Sequence, residues 1–186
     1  MKLIAIDLDG TLLNDQGCVS LYTKEVIKQV QQAGHKVVIA TGRHVQSALP
    51  IAEQLHLTDA LVCFNGALVL NLQNRKPEVA HTYWHHDIYH IAKLVSDWGY
   101  SYYTATKERY YVEAKYQHII DDFQAKGIKL RKISHIEDVM DPIFKMTIVG
   151  SEREVNQVER FIYPTVRSLQ VIRSGETAID IVSPLA

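Results

Sequence analysis

Two carboxylates one residue apart, Asp7 and Asp9, follow an apolar run and lead straight into Gly10 and Thr11. A carboxylate at the tip of a core strand can bind a hard cation or attack an electrophile such as phosphorus. A second one beside it can hold or release the proton of a leaving oxygen. Gly10 permits a tight turn, and the backbone amides freed there can cradle an anion. Asp and Thr also cap turns, and an isolated Asp-x-Asp is explained about equally well that way. Two further stretches tip the balance towards chemistry. The apolar run 36–41 ends in Thr41-Gly42-Arg43, which supplies a hydroxyl, room for close backbone approach and a positive fork suited to phosphate oxygens. The run 60–66 ends in Asn65-Gly66, placing an amide side chain at a third tip.

These tips converge only if the runs are neighbouring strands pointing the same way. Residues 3–7, 36–41 and 60–66 are nearly continuous apolar runs, the pattern of strands covered on both faces. Between the first two lies a helix pattern, with Ser20 as N-cap, Val26, Ile27 and Val30 on one face, and Gly34 as its stop. A second helix is expected near 44–56, with Pro50 marking a kink or a late start. Strand and helix alternating in this way predict a parallel sheet with right-handed crossovers, and ligands bind at the carboxyl ends of such strands.

After about residue 70 the texture changes. A hairpin punctuated by Asn74 and Pro77 precedes a helix closed by Gly99, two tyrosine-rich strands, and a helix stopped by Gly127. A strand 143–150, a helix from Glu152 and a final hairpin-like pair complete an α+β module with its own sheet. The boundary falls between 80 and 84, giving domains 1–82 and 83–186. The tyrosines at 100, 102, 103, 110 and 111 read as cross-strand packing of that sheet rather than a platform for nucleic-acid bases, because no basic groove accompanies them. His86 and His90 stand four apart but lack an evident third metal ligand, and Asp141-Pro142 reads as a turn.

With 186 residues, 47% of them hydrophobic, the chain can bury a substantial core. A net charge of −1 points away from nucleic-acid partners. Cys18 and Cys63 are far apart, as expected of free thiols in a reducing cytoplasm. Asp7 interrupts the first apolar run before a signal peptide could form, and no run reaches the roughly 18 apolar residues of a membrane span.

At "DLDGT" and "ATGR" the chain resembles the haloacid dehalogenase superfamily, and more narrowly its Cof-like phosphatases. The resemblance implies a partial Rossmann-like α/β core, with a parallel sheet, carrying an inserted α+β cap. It implies that Asp7 forms an aspartyl-phosphate, and that Asp9 protonates the leaving alcohol and then activates water. Leu8, Thr41, Gly42, Arg43 and Asn65 would line the phosphate site. Mg²⁺ would be held by Asp7 and the main-chain carbonyl of Asp9, and the substrate would be a small phosphorylated metabolite such as a sugar phosphate. The family's later lysine and Gly-Asp motif find no match before Ala186, and neither Lys129 nor Lys145 fits that lysine. A truncated chain is therefore expected, with strand 3–7 exposed at a sheet edge and open to self-association. The alternatives are a catalytically incomplete protein that retains phosphate or partner binding, and a phosphoacceptor module whose acyl phosphate persists.

Overall fold

The computed structural model describes residues 1–83, 85–165 and 169–186, in two compact units, Met1–Ala80 and His81–Ala186. In the first unit β1 (Leu3–Ile6), β2 (Lys36–Ala40) and β3 (Ala60–Cys63) run parallel, and β4 (Leu68–Asn71) and β5 (Pro77–Ala80) extend the sheet antiparallel, in the order β1-β2-β3-β4-β5. The crossovers are helices. In α1 (Leu21–Gln32) the Ser20 hydroxyl accepts the amide of Thr23 at 3.0 Å, satisfying a donor the first turn leaves open. Gly34, at φ +78°, ends it in the left-handed region. The second helix, α2 (Val45–Gln54), runs through Pro50 rather than starting at it. The ring then costs one intrahelical bond, the one the Gln46 carbonyl would have accepted. Ile39, Ala48, Ala52, Leu61, Phe64 and Leu68 are fully buried and form the core of this unit.

β1 lies at the open edge of the sheet. Leu3 is 65% exposed, although the strand is apolar throughout. Apolar sequence of this kind suits a strand with neighbours on both sides.

The second unit carries a six-stranded sheet in the order β10-β11-β9-β6-β7-β8. Its strands are β6 (Ser101–Thr106), β7 (Tyr110–Glu113), β8 (Leu130–Ile133), β9 (Ile143–Val149), β10 (Gln170–Arg173) and β11 (Ala178–Val182). Among the described residues three α-helices accompany it: α3 (His85–Asp97), α4 (Gln117–Ala125) and α5 (Glu152–Thr165). Strand register sorts its side chains into two faces. Tyr102, Met146, Ile148, Ile179 and Ile181 share one face and a buried cluster with Ile88, Val95, Val155 and Val158 of α3 and α5.

The opposite face holds a polar row. Tyr103, Thr147 and Asp180 align across β6, β9 and β11, with Lys145 one pair further along. Lys145 donates to Asp180 Oδ2 at 3.0 Å and Thr147 to Asp180 Oδ1 at 2.7 Å, with all three side chains buried. Burial pushes the Tyr103 hydroxyl up to about 12, with the nearby Asp180 charge adding to the shift and Thr147 opposing it.

The tyrosines take separate partners. Tyr102 donates to Glu113 and Tyr111 to Asp141, so Asp141 does more than make a turn. Tyr103, Tyr110 and Phe123 pack edge to face at 4.9–5.6 Å. No group of three metal-ligating side chains occurs among the described residues, and no helix among them is long and apolar enough to cross a membrane.

Candidate active site

The candidate site is built at the carboxyl ends of β1 and β2 and the turn after β3. Beyond Asp7 the chain makes one wide turn, Leu8–Leu12, closed by Leu12 N–H to the Asp7 carbonyl at 3.2 Å and Leu13 N–H to the Leu8 carbonyl at 2.9 Å. Leu8 and Leu12 are buried and anchor the turn from below. Gly10 adopts φ +71°, ψ 5° with open space where a Cβ would stand. Glycine is thus required by the dihedral and not by crowding, and a side chain there costs roughly 1–2 kcal/mol.

The end of β2 is tied to the end of β3. Asn65 N–H donates to the Thr41 carbonyl and Phe64 N–H to the Arg43 carbonyl, both at 3.2 Å. Thr41 is nearly buried, and its Oγ1 accepts the Arg43 amide at 3.2 Å, which leaves the hydroxyl hydrogen available to a ligand. Phe64 and Asn65 both sit in the left-handed region, at φ 53° and 57°. For a buried aromatic residue this is a strained conformation, and such strain clusters at functional sites. The Asn65 side chain occupies the space beside Gly42, where any added Cβ would collide with Asn65 Oδ1.

Overpacking of this kind typically costs 1–3 kcal/mol. Gly42→Ala should therefore lower stability by about that amount, and Asn65→Gly, which keeps the left-handed backbone, should relieve most of it in the double variant. Urea unfolding of the four chains measures the coupling. Additive losses would show that the two residues do not oppose each other.

Asp7, Thr41, Gly42 and Asn65, with Ala40, Val62 and Gly66, line one open cavity of about 460 Å³. Asp9 and Arg43 are not among its walls. They bond to each other: Arg43 Nε donates to Asp9 Oδ2 at 2.8 Å and Nη2 to Oδ1 at 2.5 Å. The Leu8 side chain is fully buried, so only its main chain can meet a ligand. Val62 entered the site unforeseen, whereas Gly66 came with the Asn-Gly pair expected at the third strand tip. A larger hollow of about 750 Å³ lies within the second unit, walled by Tyr103, Tyr110 and Phe123. Its acids Asp122 and Glu154 are bonded to Lys126 and Ser151, and no acid pair stands at a strand tip there, so the smaller cavity is the better candidate for chemistry.

Residues 4–185 match the family model of the haloacid dehalogenase-like hydrolases. A Bacillus subtilis protein named 5-amino-6-(5-phospho-D-ribitylamino)uracil phosphatase is 29% identical over 176 residues, covering 86% of this chain and 60% of the relative. The chain thus spans about three fifths of that relative's length. A haloacid dehalogenase-like hydrolase of B. subtilis superposes with a TM-score of 0.86 at 22% identity, over all of this chain and 74% of the other. A subclass IIB sugar phosphatase superposes with a TM-score of 0.81 at 18% identity, over 98% of this chain and 70% of its own. At these identities the superpositions establish a shared fold.

Proposed function

Because the chain belongs to the haloacid dehalogenase-like hydrolases, we propose that it is a phosphomonoester hydrolase of the Cof-like kind, acting on a small phosphorylated metabolite through an aspartyl-phosphate on Asp7. The observation that carries the reading is the meeting of Asp7, Thr41, Gly42 and Asn65 around one cavity at parallel strand ends. The names of similar proteins, a ribitylaminouracil phosphatase and a sugar phosphatase, support a sugar phosphate or related polyol phosphate as substrate.

In this mechanism the Thr41 hydroxyl and the Gly42 amide hold the phosphoryl oxygens. An Asp7 carboxylate oxygen attacks phosphorus, and the bond to the substrate oxygen breaks as that oxygen takes the proton carried by Asp9. Water then attacks the phosphorus of the acyl phosphate and gives a proton to Asp9, releasing inorganic phosphate and restoring Asp7. The Asp7 carboxylate and the Asp9 main-chain carbonyl are hard oxygen donors that fit Mg²⁺, which when bound would neutralise charge on the phosphoryl group.

With only these two donors proposed, Mg²⁺ should bind weakly without phosphate, in the millimolar range or above. Titration calorimetry tests this, and micromolar affinity would reveal further ligands. Steady-state hydrolysis of p-nitrophenyl phosphate with Mg²⁺ tests the activity itself. A second reading is phosphate binding without turnover. It predicts saturable phosphate binding and no hydrolysis above a buffer blank.

The open β1 edge also bears on assembly. With Leu3 exposed on it, and Leu21 and Tyr22 more than three-quarters exposed on α1, a second copy can pair along the strand. Light scattering at low micromolar concentration should find dimers or larger species, which Leu3→Lys should reduce. A monomer unaffected by that substitution would show the edge to be inert.

A further inference from the structure

His44 closes the short loop that carries Thr41, Gly42 and Arg43, and it does so with a side chain seldom found in that place. It is the N-cap of α2, at φ −69° and ψ 150°, and it is fully buried. Its Nδ1 accepts the Gln46 amide at 2.9 Å, while its carbonyl accepts the amides of Ser47 and Ala48, both at 3.1 Å. The usual N-cap acceptor is an oxygen of serine, threonine, aspartate or asparagine. An imidazole nitrogen accepts only when it carries no proton, so His44 is neutral here, with its hydrogen on Nε2.

What the imidazole adds over a smaller cap is reach. Its ring meets Phe64 edge to face, with 5.1 Å between centroids. Phe64 is the residue held at φ 53°, its amide donates to the Arg43 carbonyl, and Asn65 follows with its side chain beside Gly42. One buried side chain thus ties the start of α2 to the turn after β3, with the backbone of Thr41 and Gly42 between them. Gly42 has no side chain of its own to restrain it.

We infer that His44 is a positioning residue for the phosphate site: by capping α2 and bracing Phe64 it fixes the loop on which the Thr41 hydroxyl and the Gly42 amide meet a phosphoryl group. The inference rests on the reading of that cavity as a phosphate site. Being fully buried, His44 acts through the loop and not on the ligand. Its loss therefore lowers the fraction of molecules with the loop formed, and apparent affinity falls by that fraction.

His44→Ala should weaken binding of inorganic phosphate by about tenfold, within the range that loss of an N-cap implies. Calorimetric titration in the presence of Mg²⁺ measures this. The KM for p-nitrophenyl phosphate should rise by a similar factor while kcat stays within about twofold, because saturating substrate draws the loop back into place. His44→Asn returns an acceptor to the cap and should bind phosphate at least about threefold more tightly than His44→Ala. A smaller difference between the two variants, or an alanine variant that binds like the parent, would overturn the inference.

A second measurement uses the parent chain alone. If phosphate and the cap are coupled, the coupling acts equally in both directions. Saturating phosphate should then slow hydrogen exchange at the Gln46 amide by about tenfold. The Thr23 amide, capped by Ser20 at the start of α1, should not change. An indifferent Gln46 amide, or equal slowing at both positions, would overturn the inference. Failure of the site reading is separately visible: the parent would then show no saturable phosphate binding that Thr41→Val weakens, and the inference would fall with it.

Discussion

Asp7→Asn is expected to abolish phosphomonoester hydrolysis, lowering kcat by a factor on the order of 10⁴ or more, the scale on which a lost nucleophile is felt. The amide is nearly isosteric with the carboxylate, but its nitrogen has no available lone pair and its oxygen is a weak nucleophile. Asp7 is exposed at the tip of β1, and its side chain takes no part in the bonds that close the following turn, which use its carbonyl. Stability should therefore stay within about 0.5 kcal/mol of the parent. Steady-state turnover of p-nitrophenyl phosphate gives the first readout. Intact mass after a brief exposure to substrate gives the second, a phosphate adduct on the parent chain that the variant lacks. Turnover undiminished in the variant would remove Asp7 from the mechanism.

The largest effect on stability is expected in the second unit, at Asp180. Its carboxylate receives Lys145 and Thr147 in the middle of a sheet face, with all three side chains buried. Asp180→Ala removes the acceptor from a buried ammonium, and breaking a buried pair from one side typically costs about 3–5 kcal/mol. That is a large part of the roughly 5–15 kcal/mol by which a domain is usually stable. The paired replacement Lys145→Met with Asp180→Leu removes both charges together. It should be far milder than Asp180→Ala, because no charge is stranded in the interior. Urea denaturation at pH 7 compares the three chains. A loss below about 1 kcal/mol in Asp180→Ala would mean that Lys145 finds compensation elsewhere.

The two predictions draw on different kinds of information. The role proposed for Asp7 depends on sequence-local features: an apolar strand, an acid at its tip, and Gly10 close behind to turn the chain. The cost expected at Asp180 could not be anticipated in that way. The run 143–149 reads as one more apolar strand around Lys145 and Thr147, and nothing local marks that lysine as buried.

By itself, the sequence determined the alternation of strand and helix, the caps and turns at Ser20, Gly34 and Gly10, and the placing of Asp7, Thr41 and Asn65 at strand tips. Each of these depends on neighbours a few residues away, through periodicity and backbone dihedrals. The tertiary structure decided which side chains meet. Asp9 and Arg43 are 34 residues apart, and Lys145 and Asp180 are 35 apart. It also carried α2 through Pro50, set Asn65 beside Gly42 and, among the described residues, left β1 with one neighbouring strand. Periodicity specifies the face a residue occupies, but a hydrogen bond between distant segments is set by strand order and register, which arise only when the elements pack.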